Sequence, residues 1–181
     1  MQSAKKAATL TRRQLVAAGV MGGAAVAVGC YSNRSANWNF LSESQARTLA
    51  ALSDQIIPAD AFPSASQAGV LTYIDRQLVR HYRRHQNAYR RGLELADEIS
   101  RQRFGREISA LASPQQLEIV GALEQQDRAF FDLLRSHCME GFYGSPRHGG
   151  NRDAVSWRML GLAEPPLLGR AQYDLTTGRA S

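Results

Sequence analysis

Apolar residues in this chain recur every three or four positions over long stretches, and no alternating strand pattern runs longer than four residues. The body is therefore expected to be mainly α-helical. A first helix is predicted to open at Ser42, with Gln45 as the second half of a capping box. It carries Ala46, Leu49, Leu52 and Ile56 on one side until Pro58 stops it. The prolines of IIPADAFPSASQAGV (56–70) predict a stiffened loop. A second, long helix is predicted over 67–103, with Val70, Ile74, Leu78, Tyr82, Tyr89, Leu93, Ala96 and Ile99 on its apolar side and a kink at Gly92. Ser113-Pro114-Gln115-Gln116 predicts another start, with serine as cap and proline at the first helical position. From there Leu117, Val120 and Leu123 form a stripe that Phe130, Phe131, Leu134 and Cys138 continue to Gly141 and Gly144. Residues 42–181 are expected to form one small helical domain with a glycine-rich C-terminal loop region, enough chain for one core and too little for two.

Charge changes the picture at the N-terminus. The formal net charge of +6 suggests a nucleic-acid binder at first sight. Lys5, Lys6, Arg12 and Arg13 all precede Cys30, where no Asp or Glu occurs, and the remainder sets 18 Arg against 16 acidic residues. A nearly balanced body lacks the basic excess of a duplex-binding surface, so no nucleic-acid partner is expected. Residues 1–30 instead have the layout of an export signal: a basic start, TRRQLV (11–16), then a weakly apolar run rich in Ala, Gly and Val. Arg12 and Arg13 after Thr11 resemble a twin-arginine signal. The apolar run is too short and too glycine-rich for a membrane span, which needs about 20 apolar residues.

VAVGC (26–30) resembles a lipoprotein cleavage box, which would make Cys30 an acylated membrane anchor. Cleavage after the Ala25-Val26-Ala27 run is the rival reading, and an unlipidated Cys30 could pair with Cys138. Residues 31–41, beginning YSNRSANWNF, are polar and turn-rich and are expected to be a linker.

The candidate chemistry is sparse. His81 and His85 lie four apart in HYRRH, a metal-ligand spacing, but Arg80, Arg83, Arg84, Arg90 and Arg91 crowd them and oppose a cation. A basic patch facing solvent, a partner or anionic lipid is favoured over a metal site. His137 and Cys138 are adjacent, so on a helix they point about 100 degrees apart and do not form a nucleophile pair. There is no C-x-x-C-H for a c-type haem, and two cysteines cannot hold an iron–sulfur cluster. GFYGSP and HGG match neither the dinucleotide nor the phosphate-loop pattern. Asp97 with Glu98, and Asp127 with Asp132, are expected on exposed helix faces. No catalytic, cofactor or metal residue is assigned in this chain.

The segment FFDLLRSHCMEGFYGSPRHGGNRDAVSWRMLGL (130–162) closely resembles the signature of the gluconate 2-dehydrogenase subunit 3 family: a helix, a glycine-rich turn, Gly-Gly-Asn, then a tryptophan and a further glycine. IIPAD (56–60) and AGVLTYID (68–75) resemble the same family's second block. The resemblance implies a small, cofactor-free subunit of a periplasmic, inner-membrane-associated dehydrogenase complex. Its large subunit would be a glucose-methanol-choline-type flavoprotein carrying FAD, and its third subunit a cytochrome with haem c. The large subunit would oxidise gluconate or a related sugar acid or polyol, and the small one would support its export, folding and stability.

Within the signature, Gly149 and Gly150 are expected at positive φ, Asn151 to tolerate or cap such a turn, and Asp153 to cap a short helix carrying Trp157. Trp157 and Met159 would then fold against Phe142 and Tyr143, as a partner-facing aromatic surface or as closure of the domain's own core. Two further readings remain: a free-standing periplasmic lipoprotein that binds membrane or cell-wall polymers, and a hydrolase using His137 or Cys138.

Overall fold

A computed structural model describes residues 38–162 and the short segments 173–174 and 179–180. Arg12, Arg13 and Cys30 lie outside the described residues. Among the described residues six α-helices carry the domain: α1 Glu43–Ile56, α2 Val70–Leu78, α3 Gln86–Phe104, α4 Ser113–Gln126, α5 Arg128–Tyr143 and the short α6 Val155–Met159. Tyr173–Asp174 pairs antiparallel with Arg179–Ala180 in a two-residue ladder.

The capping box at Ser42 forms as expected: Gln45 N–H donates to Ser42 Oγ at 3.1 Å, and Ser42 N–H donates to Gln45 Oε1 at 3.0 Å. α1 then runs through the middle of the domain, in contact with α2, α3, α4 and α5. Its small buried residues, Ala46, Thr48, Ala51 and Ser53, allow helices to approach on several sides, while Leu49 and Leu52 fill the centre. The entry to α1 is more tightly held than a linker. Asp75 on α2 is 2% exposed and accepts from Asn39 N–H (2.8 Å), Asn39 Nδ2 (2.7 Å), Phe40 N–H (2.9 Å) and Leu41 N–H (3.1 Å). Leu41 is buried and the Arg90 guanidinium covers the Phe40 ring, so residues 39–41 belong to the folded domain rather than to a linker.

The expected single helix over 67–103 is two helices with a turn and a 3₁₀ segment, Arg83–His85, between them. The anticipated apolar face holds, since Val70, Ile74, Leu78, Tyr89, Leu93, Ala96 and Ile99 are all buried. The rod does not. Arg80, Arg83 and Arg84 would stand as like charges at i,i+3 and i,i+4 spacing, which weakens a helix there. The break is held by local bonds across the turn instead: Tyr82 N–H donates to Gln77 O at 2.8 Å, and Gln86 Nε2 donates to Leu78 O at 2.8 Å. α2 can then lie on α5 while α3 lies on α1 and α4.

α3 runs unbroken through Gly92. A Cβ there would fall 2.2 Å from the Phe130 ring, so this glycine exists for close approach to α5. Three smaller corrections follow from packing. Ala112, not Ser113, is the N-cap of α4, with its N–H donating to Gln115 Oε1 at 3.2 Å. Val120 and Leu123 are buried as expected, but Leu117 is 57% exposed and Ile119 and Ala122 complete the buried face of α4, a slip of the helical phase by less than a quarter of a turn. Asp97 is not a surface acid: it is buried, accepts from Thr48 Oγ1 at 2.6 Å and Ile108 N–H at 3.2 Å, and ties α3 to α1 and to the 108–110 turn. Asp127 accepts from Phe130 N–H at 3.0 Å and separates α4 from α5, while Asp132 sits on the exposed face with Arg128.

Candidate functional site

The glycine-rich segment forms a corner against the C-terminal end of α5 and the start of α2. Its geometry starts at Gly141, where a Cβ would meet the Tyr73 ring at 2.8 Å. α5 ends at Tyr143, and a 3₁₀ turn, Pro146–His148, leads to Gly149 at φ +102. Gly150 is not in the left-handed region. It is required for a different reason: a Cβ there would stand 2.1 Å from Gly141 O, in the backbone of α5. The chain then crosses to the turn that leads into α2, with Arg152 N–H donating to Ala68 O at 2.8 Å.

Asn151 does the work expected of Asp153. It sits fully buried at φ 43, donates from Nδ2 to Gly144 O at 2.8 Å and accepts at Oδ1 from Ser156 N–H at 2.9 Å, within the first turn of α6. Asp153 is exposed at φ 56 and caps nothing, because Asn151 already occupies the position facing those donors and carries both a donor and an acceptor. Ala154, at φ 52, also lies in the left-handed region, so this turn is held by its surroundings against local strain.

The aromatic residues divide between core and surface. Phe142 is 2% exposed, packed edge-on to Tyr143 with ring centroids 5.1 Å apart, and belongs to the core. Tyr143 is exposed, and Trp157 is half-buried with its Nε1 donating to Tyr143 O at 2.9 Å. Met139, one turn before Tyr143 on α5, is exposed too, as are Leu160 and Leu162 after α6. An aromatic surface therefore exists at Tyr143 and Trp157, but Phe142 is not part of it.

A second cluster lies on the adjoining face of α5. His137 is buried, shares a 2.9 Å hydrogen bond between Nδ1 and Tyr89 Oη, and stacks on Tyr82 with ring centroids 3.9 Å apart. Burial lowers its pKa to about 4, with His85 and Arg84 adding to the effect and Glu140 opposing it. Glu140 accepts from the hydroxyls of Tyr73 and Tyr82, which also bond each other at 2.9 Å; burial raises both tyrosines above their ordinary value. Sequence reasoning missed this cluster, because its members come from α2, the 79–85 turn, α3 and α5.

The sign of the resulting pH dependence is fixed. His137 binds its proton less readily folded than unfolded, so the stability it contributes is present above about pH 6.5 and is lost as pH falls toward about 4. Between pH 7 and 4.5 this group alone should remove about 2–3 kcal/mol. Urea midpoints measured across that range check it: His137→Gln should flatten the acid slope, and an unchanged slope would refute the assignment.

Cys138 faces α1, fully buried, with its thiol 3.5 Å from Ser53 Oγ. Burial pushes the thiol up to about 12, the reverse of an activated thiolate. Neither residue has the arrangement of a nucleophile and its base. His81 is exposed while His85 turns its ring edge toward His137 at 5.6 Å, so the two do not share one face. Among the described residues no group of three or more His, Cys, Asp or Glu could hold a metal ion, and no helix is long and apolar enough to cross a membrane.

Two concavities are present among the described residues, of about 420 and 280 Å³, both open and lined mainly by polar and charged side chains. No curated protein and no solved structure matches the chain. The profile described as Gluconate 2-dehydrogenase subunit 3 matches residues 43–163, from the start of α1 to just past α6, about two thirds of the chain. By that match, which takes in the Asn151 corner, the chain belongs to the gluconate 2-dehydrogenase subunit 3 family.

Proposed function

We propose that this chain is the small, non-catalytic subunit of a membrane-associated periplasmic dehydrogenase complex. It supports export, folding and stability of a glucose-methanol-choline-type flavoprotein that oxidises gluconate or a related sugar acid or polyol. FAD resides in that large subunit and haem c in a cytochrome partner. The observation that carries the reading is the family match over residues 43–163. Two features support it: the paired Arg12 and Arg13 before an apolar run, and a rigid corner that presents Tyr143 and Trp157 at the surface.

In this reading the corner is a docking surface. Gly149, Gly150 and Asn151 set its shape, Phe142 backs it from the core, Asp153 lies on its rim, and Tyr143 and Trp157 touch the partner. Trp157, its ring held by the hydrogen bond to Tyr143 O, loses little side-chain freedom on binding, which favours a stable interface. Export follows from the leader. A folded complex can cross together, so one twin-arginine signal serves both chains, and Cys30, if acylated, ties the complex to the inner membrane.

The expected result is that Arg12→Lys/Arg13→Lys leaves the flavoprotein in the cytoplasm; a flavoprotein that still reaches the periplasm would end the escort reading. In the same cells, Tyr143→Glu should keep the domain folded yet release the flavoprotein during native purification. A wild-type chain that purifies alone would instead favour a free-standing lipoprotein.

A further inference from the structure

We propose that the concavity between the C-terminal end of α2 and the Pro146–His148 turn binds a phosphate-type oxyanion. Its volume is about 280 Å³, and its lining includes Asn39, Arg76, Gln77, Arg80, Arg147 and His148. The site is a product of the fold. Arg76 lies in the last turn of α2 and Arg80 just beyond it, whereas Arg147 and His148 arrive from a separate turn about 70 residues later in the chain.

Gly149 makes the two halves meet. A Cβ at this position would come within 2.9 Å of Arg76 Nη1, so the absence of a side chain leaves the space that the Arg76 guanidinium passes through. The glycine-rich segment thus completes a basic pocket as well as a corner.

An ordinary solvated basic face is the alternative, and cations at a helix C-terminus are favoured by the helix dipole. That explanation covers Arg76 and Arg80. It leaves Arg147 and His148 unexplained, since they belong to no part of α2 and add to the local repulsion. Neutralising carboxylates are missing: among the described residues, Arg76, Arg80 and Arg147 form no ion pair, and those present involve Arg101, Arg128 and Arg135. Asp75, the nearest acid in sequence to Arg76, is turned inward and engaged by residues 39–41.

The class of anion follows from the donors. A carboxylate offers two oxygens in one plane and is satisfied by one guanidinium fork. Three guanidinium groups with an imidazole, drawn from two directions, suit a tetrahedral group with up to four oxygens and as much as two charges. Such a group is supplied by a phospholipid headgroup or by free phosphate and its esters. The inference concerns this chain alone and stands whether or not the escort reading does.

The test uses the purified full chain, titrated calorimetrically with inorganic phosphate at constant ionic strength. Saturable one-site binding is expected, with acetate weaker. Arg80→Gln/Arg147→Gln should raise the Kd about tenfold or more, the effect of losing a charge-assisted hydrogen bond. Arg103→Gln, exposed at the far end of α3, should leave the Kd unchanged. If the double variant melts below wild type, Arg147→Gln alone, on a surface turn, takes its place. Flotation with phosphatidylglycerol and phosphatidylcholine vesicles separates the sources. Binding to the anionic vesicles that the variant loses identifies a headgroup, and indifference to both identifies a free phosphate or ester. Absent saturable binding, a Kd unmoved by the substitutions, or acetate binding as tightly as phosphate would overturn the proposal.

Discussion

Gly150→Ala is expected to lower the melting temperature by roughly 10 °C, the equivalent of about 3 kcal/mol or more for a domain of this size. The added methyl group would stand 2.1 Å from Gly141 O and 2.8 Å from Gly141 C, both backbone atoms inside α5 that cannot rotate away. Either α5 bends or the corner lifts. If the corner lifts, Asn151 loses its contact with Gly144 O and its hold on Ser156 N–H, and Trp157 moves away from Tyr143 O. Circular dichroism melts check the size of the effect, with Gly121→Ala as the contrast. Gly121 lies within α4 with nothing within 4 Å of a new Cβ, so alanine there should stabilise by about 0.5–1 kcal/mol through helix propensity. Equal melting of Gly150→Ala and wild type would show that the corner does not pack on α5 as described.

Asp75→Ala should cost about 3 kcal/mol, because one buried carboxylate takes four hydrogen bonds from residues 39–41 and its removal strands several donors at once. The loss is local before it is global. Amide exchange at Phe40 and Leu41 should speed up well before that of Leu49 or Leu52 in α1, since α1 retains its own capping box at Ser42. Exchange at Phe40 and Leu41 as slow as in wild type would mean that the entry segment is held by its apolar contacts alone. With the clamp gone, residues 39–41 should also become the first segment of the described domain to be cut under limited proteolysis.

Much of the helical framework could be read from periodicity. The apolar faces of α1, α2, α3 and α5 appear in the sequence because a helix buried on one side must repeat its apolar residues at its own pitch. The phase of α4 was misread because Leu117 and Ile119 offer competing stripes, and only the position of α1 decides which is covered. The broken rod over 67–103 shows the same limitation. The stripe continues unbroken through Tyr82, while the chain itself turns, because packing on α5 and on α1 with α4 requires two directions.

The candidate site was legible in its parts more than in its logic. Gly149, Gly150 and Asn151 announce a special turn, since glycine and asparagine are the residues that tolerate one. That Gly150 serves close approach while Gly149 supplies positive φ follows only once α5 is in place. Phe142 and Tyr143 are equally aromatic neighbours, yet one is core and the other surface, because adjacent residues on a helix face different ways.

Sequence alone determined the helical class, the location of the glycine-rich corner and the family signature that runs through it. All of these depend on local pattern, which a linear chain carries in full. Tertiary structure decided that Asn151 caps while Asp153 is bare, why Gly149 and Gly150 are needed, and that cations from positions 76, 80 and 147 share one concavity. Those outcomes depend on distances between segments far apart in the chain, and such distances exist only after the helices have packed.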